Sequence, residues 1–105
     1  MPADAILEIG IDEQERLYVR PATRTYTMIY REAVEVNWDA KRRVLFSPKP
    51  REWTYLKWFS HIISTADPCA SDLTITSETQ WHNISEDLRI SIVNWMSNRP
   101  SQSFH

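Results

Sequence analysis

Residues 52–66 read EWTYLKWFSHIISTA. At about 100° per residue, Tyr55, Leu56, Trp58, Phe59, Ile62, Ile63 and Ala66 fall within one arc, and Thr54, Lys57, Ser60, His61, Ser64 and Thr65 fill the opposite one. An amphipathic helix is therefore expected from Glu52 to Ala66. Asp67-Pro68 ends it, because the residue before proline is pushed out of helical conformation. The change from a period of two upstream to this helical period sets the fold class.

Upstream, Leu7, Ile9 and Ile11 alternate with Glu8 and Gly10, and Leu17 and Val19 alternate with Arg16, Tyr18 and Arg20. The polar stretch from Asp12 to Glu15 lies between them, which predicts a β-hairpin. Pro21 ends its second strand, since it lacks an N–H for the ladder. From Thr25 to Asn37 the period of two continues. Tyr26, Met28, Tyr30, Val34, Val36 and Trp38 share one parity, broken only by Glu32, so two strands divided near Arg31-Glu32 are expected. Asp39 to Arg42 then forms a polar turn and Val44 to Phe46 the returning strand.

Downstream, Leu73 and Ile75 alternate with Asp72, Thr74 and Thr76, a short strand that can return to the sheet. Asn83-Ile84-Ser85-Glu86 resembles a capping box with Ser85 as a competing N-cap. The helix behind it has a narrow stripe of Leu88, Ile92, Trp95 and Met96. The expected architecture is α+β: an antiparallel sheet of five to six strands in the order β-β-β-β-β-α-β-α, covered by two amphipathic helices. Phe59, Ile63, Leu56, Leu88 and Ile92 are expected to be buried against the sheet. Residues 1–98 are expected to form one domain and residues 99–105 a flexible, polar tail.

Composition narrows function mostly by exclusion. In 105 residues, 42% hydrophobic and 25% charged, there is room for one core. Twelve Lys and Arg against fourteen Asp and Glu leave a formal charge of −2, so no overall field steers nucleic acid or anionic membrane to the chain. The single glycine, Gly10, cannot build the loops that cradle phosphates or dinucleotides, which need several glycines. No apolar run approaches the roughly 18 residues of a membrane span. One cysteine, Cys69, and the lack of a basic, apolar leader make the cytoplasm the expected compartment.

No metal is expected, because His61, His82, His105 and Cys69 form no pair at ligand spacing. His61 lies on the polar arc, where a solvated histidine is the simpler reading. Cys69 follows a helix C-terminus, whose dipole works against a reactive thiolate. The carboxylates Asp12, Glu13 and Glu15 lack the calcium-loop spacing and read as a solvated turn. Glu32, on the apolar parity, is the carboxylate whose burial would matter most. No cofactor is implied, and the balance points away from an enzyme.

Five tryptophans are too many to sit centrally in so small a core, each with an N–H partner, so one or two should be partly exposed. By helical angle Trp53 falls on the polar side of the first helix, Trp58 at the edge of its apolar arc, and Ile90 on the polar face of the second. These three residues are the expected contact surface for a protein partner or a second copy of the chain. A non-enzymatic binding protein is the first functional reading. The alternative is single-stranded nucleic acid held by Lys41, Arg42, Arg43, Lys49 and Arg51, flanked by Trp38 and Trp53, although the acidic balance makes nucleic acid a poor partner. A third reading places a small-ligand or enzyme pocket between sheet and helices, using Glu32, His82 and tyrosines. In general look the chain resembles small bacterial proteins of mobile gene cassettes or toxin-immunity proteins, a likeness of type that no single residue carries.

Overall fold

The computed structural model describes residues 4–23, 25–27, 29, 35–48, 53–66 and 73–98. It is an α+β fold with a six-stranded, mostly antiparallel mixed sheet and two helices. The elements are β1 (Asp4–Ile11), β2 (Leu17–Pro21), β3 (Asn37–Asp39), β4 (Val44–Phe46), α1 (Tyr55–Ala66), β5 (Leu73–Thr74), β6 (Gln80–His82) and α2 (Glu86–Asn98). The sheet runs β3-β4-β2-β1-β5, and β6 also pairs with β1. The hairpins β1–β2 and β3–β4 and the β2–β4 pair are antiparallel, whereas β5 and β6 pair with β1 in parallel, at Asp4–Ala5 and Glu8–Gly10 respectively.

Register sorts the strand residues onto two faces. Trp38, Leu45, Val19, Ile9 and Trp81 stand in one cross-strand row, and Asn37, Phe46, Tyr18, Gly10 and His82 in the next. The first row meets the helices. Val19, Leu45 and Ile9 are fully buried there with Phe59, Ile62 and Ile63 of α1 and Ile92 of α2. The second row lies on the outer face.

The expected distribution of strands is corrected in two places. Between β2 and β3 the described residues of the predicted strands form no ladder. Ile29 N–H instead donates to Tyr26 C=O at 2.9 Å, a turn that buries both side chains. At Tyr26 and Ile29 the alternating pattern reports burial, and neither residue pairs with a strand. Met28, Tyr30, Arg31, Glu32 and Val34 lie outside the described residues. Among the described residues four strands precede α1, where five were expected, and two lie between the helices, where one was expected. Gln80–His82 was missed because a three-residue strand shows no period.

A β-bulge corrects the first strand. Ile6 pairs with Pro21 but Glu8 with Arg20, so β1 spends an extra residue at Leu7. Ile6 and Ile9 face the core at 1% and 0% exposure while Leu7 stands 46% exposed, outside the apolar row its parity predicts. The Ile6 carbonyl, in the gap between β5 and β6, accepts from Thr79 Oγ1 at 2.7 Å.

Both helices begin at side-chain caps. Thr54 Oγ1 accepts from Lys57 N–H at 3.1 Å, so α1 starts after Thr54 and not at Glu52. Ser85 Oγ accepts from Leu88 N–H at 3.2 Å, so the N-cap of α2 is Ser85. Asn83, the expected cap, takes positive φ and donates to Ile11 C=O instead. α2 packs chiefly on α1, with Trp95 edge-on to Phe59 at 5.9 Å. Leu56 and Leu88 are half-buried, and Ile92 is the one fully buried residue of α2.

With so little glycine, ordinary residues make the left-handed turns: Glu15, Glu35, Arg43 and Asn83 all have φ between 58° and 76°. Arg43 closes the β3–β4 loop, its N–H donating to Asp39 C=O at 2.7 Å while its side chain is exposed. A Cβ in this region costs on the order of 1 kcal/mol, partly offset in a glycine variant by unfolded-chain entropy. Arg43→Gly is expected to stabilise the fold by about 0.5 kcal/mol, raising the melting temperature by a few degrees in a thermal scan.

Candidate functional site

Two surfaces carry chemistry that packing alone does not require. The first is the outer face of the sheet, where strand alternation places Glu8, Gly10, Tyr18, Arg20, Phe46 and His82. Glu8 accepts from Tyr18 OH at 2.9 Å and from Arg20 Nη1. Arg20 Nε donates to Arg42 C=O at 3.2 Å. The Arg42 guanidinium covers the Tyr18 ring at 5.2 Å and pairs with Asp12 at 3.5 Å and Asp39 at 3.9 Å. Arg16 pairs with Asp12 at 3.0 Å and lies over the Phe46 ring at 4.7 Å. The Tyr18 ring also lies across Gly10: a Cβ there would stand 2.5 Å from its Cζ and hydroxyl oxygen. Gly10 is therefore used for close approach between strands and not for backbone freedom; no positive φ occurs at a glycine.

This network shifts two acids in opposite directions. Burial alone would raise the Asp12 carboxyl, but hydrogen bonds from the Arg16 and Gln14 backbone N–H groups and the Arg16 guanidinium outweigh it and hold the pKa below its ordinary value. Burial, then the hydrogen bond and charge of Glu8, push the Tyr18 phenol from 10.0 up to about 12. A raised phenol favours the neutral form in the folded protein. Its contribution is fully present below pH 10 and is lost as pH rises through about 12. Denaturant unfolding across that window is expected to show a steeper loss of stability in the wild type than in Tyr18→Phe.

The second surface lies around the helices. Trp58 is buried at 7% exposure, which corrects its expected place on the surface. Trp53 precedes the Thr54 cap, so helical angle does not describe it. Its ring packs on Trp58 at 4.6 Å, a hydrophobic staple across the N-cap. His61 stands edge-on to both indoles, at 5.3 and 5.9 Å, and is half-buried instead of solvated. Lys57 Nζ covers the Trp53 ring at 4.9 Å. Folding thus accounts for both tryptophans. Ile90 remains exposed, at 51%, and Val93 beside it on the same helix at 38%. Val93 was missed because the helical stripe was read only for its buried side. All five tryptophans are at least half-buried.

Of the basic cluster, Lys41 and Arg43 are exposed at the hairpin tip, Arg42 is committed to Asp12, Asp39 and Tyr18, and Lys49 and Arg51 lie outside the described residues. Of the flanking rings, Trp38 packs on Tyr26 at 5.8 Å and Trp53 on Trp58 at 4.6 Å. His82 stands on the outer face, away from the space between sheet and helices in which it was expected to act. Glu32, Cys69 and His105 lie outside the described residues. Among the described residues no group of three or more His, Cys, Asp or Glu is placed to hold a metal ion, and no helix is long and apolar enough to cross a membrane.

Residues 4–79 match the family model described as Integron Cassette Protein Hfx_Cass5. The solved structure of Integron Cassette Protein Hfx_Cass5, from the mobile metagenome of North West Arm Sewage Outfall, is 34% identical to the chain. The match covers 92% of this chain and 98% of that one, with a TM-score of 0.47. No curated protein matches the chain.

Proposed function

Since the chain belongs to the family of Integron Cassette Protein Hfx_Cass5, we propose that it is a mobile-cassette protein of the non-enzymatic binding kind, acting by contact with a protein partner. The observation that carries this reading is the pair Ile90 and Val93, exposed by 51% and 38% on the solvent side of α2. α2 is held to the fold by the opposite side of the helix, through Ile92 and the Phe59–Trp95 contact. Neither exposed side chain contributes to that packing, and large apolar groups in partly polar surroundings are what a partner's pocket takes up. Trp53, half-buried at the start of α1, contributes contact area without being an anchor. An immunity role, the binding and silencing of a toxin, is one form that such contact takes.

Ile90→Ser/Val93→Ser is expected to fold with a stability within about 1 kcal/mol of wild type, because both positions are on the surface. Used as bait beside the wild type, the variant should fail to retain a protein that the wild type retains. Equal retention by both would count against the reading.

Nucleic acid remains the second reading because Lys41 and Arg43 are exposed on one hairpin tip. With Arg42 paired, the two exposed cations described there give a binding free energy that salt readily removes.

A further inference from the structure

We propose that the outer face of the sheet, around Leu7, Glu8 and Arg20, is where two copies of the chain meet. This surface is independent of Ile90 and Val93. β1 lies inside the sheet, flanked by β2 on one edge and by β5 and β6 on the other, and Leu7, at the bulge between the β5 and β6 pairings, stands exposed next to Glu8 of the outer face. The bulge puts it there: without the extra residue the alternation would turn this side chain toward the helices. A leucine 46% exposed is thus aimed outward beside Glu8, on a face where Phe46 is half-buried and His82 is exposed.

Charge selects the occupant. The face carries three guanidinium groups, Arg16, Arg20 and Arg42, and three carboxylates, Glu8, Asp12 and Asp39, joined in pairs. A surface that alternates both signs repels neither and attracts neither strongly, so nucleic acid or an anionic membrane gains nothing from it. It is complementary to itself. Glu8 and Arg20 stand opposite one another in the β1–β2 register, and a two-fold axis through that pair brings Glu8 of one copy towards Arg20 of the other. Both side chains retain exposure for it, 20% for Glu8 and 34% for Arg20, and the remaining N–H donors of the guanidinium are available to a second carboxylate. Leu7 against its copy supplies the apolar centre that such a polar rim surrounds.

The test is sedimentation equilibrium of the full chain from micromolar to millimolar concentration, on wild type, Leu7→Glu and Ile90→Ser/Val93→Ser, with circular dichroism melts as the control for folding. Wild type is expected to reach twice the mass of the chain. Leu7→Glu should remain at the mass of one chain with an unchanged melt, and the α2 variant should double as wild type does. Wild type at single mass throughout overturns the proposal, as does a folded Leu7→Glu that still doubles. Loss of doubling in the α2 variant instead would move the self-contact to α2.

Discussion

Phe59→Ala is expected to lower stability by about 3 to 5 kcal/mol, a large share of the roughly 5 to 15 kcal/mol that holds a domain of this size. Phe59 is fully buried in the core cluster, where α1 packs over the sheet, and Trp95 of α2 stands edge-on to it at 5.9 Å. Removing the ring leaves a cavity beneath α1 and takes away the contact through which α2 is fastened. α2 would then be held by Ile92, its one fully buried residue, and by the partly buried Leu88 and Met96. The loss should therefore be uneven. Amide exchange in α2 should accelerate more than in β1 and β2, and denaturant midpoints should fall well below wild type. Phe59→Leu, which keeps most of the volume, should cost far less. A Phe59→Ala protein with an unchanged midpoint would mean that α1 does not close the core.

Gly10→Ala is expected to cost about 2 to 3 kcal/mol, from overpacking together with a lost hydrogen bond. The methyl would stand 2.5 Å from the Tyr18 ring, which the Arg42 guanidinium at 5.2 Å and the Glu8 carboxylate, accepting from its hydroxyl at 2.9 Å, hold in place. Once displaced, the phenol loses both the burial and the carboxylate that push its pKa to about 12, so its alkaline titration should move back towards 10.0. The pairing is testable by a cycle. If ring and methyl compete for one space, Gly10→Ala/Tyr18→Ala should cost less than the sum of its single variants. Additive costs would place the penalty in the backbone and not in the ring.

These two positions differ in how far the sequence alone exposed them. Phe59 was legible because helical periodicity is a local signal that burial then fulfils. Fold class, the two hairpins and both helices followed from the same signals. Gly10 was read as a missing motif, since the residue that requires it lies across the hairpin, eight positions along the chain. The bulge at Leu7 was invisible for a related reason: one inserted residue reverses parity, and only the partner strand reveals the insertion. From Thr25 to Asn37 the period of two finds a ladder only at its end, where Asn37 opens β3, and Tyr26 and Ile29 form a turn instead, because a period of two marks buried and exposed sides whether or not a neighbouring strand exists. Trp53 and Trp58 were assigned to a surface on angle alone, whereas the Thr54 cap ends the helix before Trp53 and the staple draws the two rings together. Ile90 stood where the angle put it because it lies inside α2, past either of the two caps the sequence offers.

The parallel pairing of β1 with β5 and β6 also fixes the order in which the molecule can be completed. β1 leaves the ribosome well before β5 and β6, so its second edge stays open until residues 73–82 arrive, and the Ile6 carbonyl waits for a hydroxyl 73 positions downstream. The β1–β2 hairpin can close early through neighbours in sequence, but the sheet around it cannot. Until residues 73–82 are made the nascent chain therefore carries β1 with one edge unpaired, and the burden on the cell's chaperones falls in that interval.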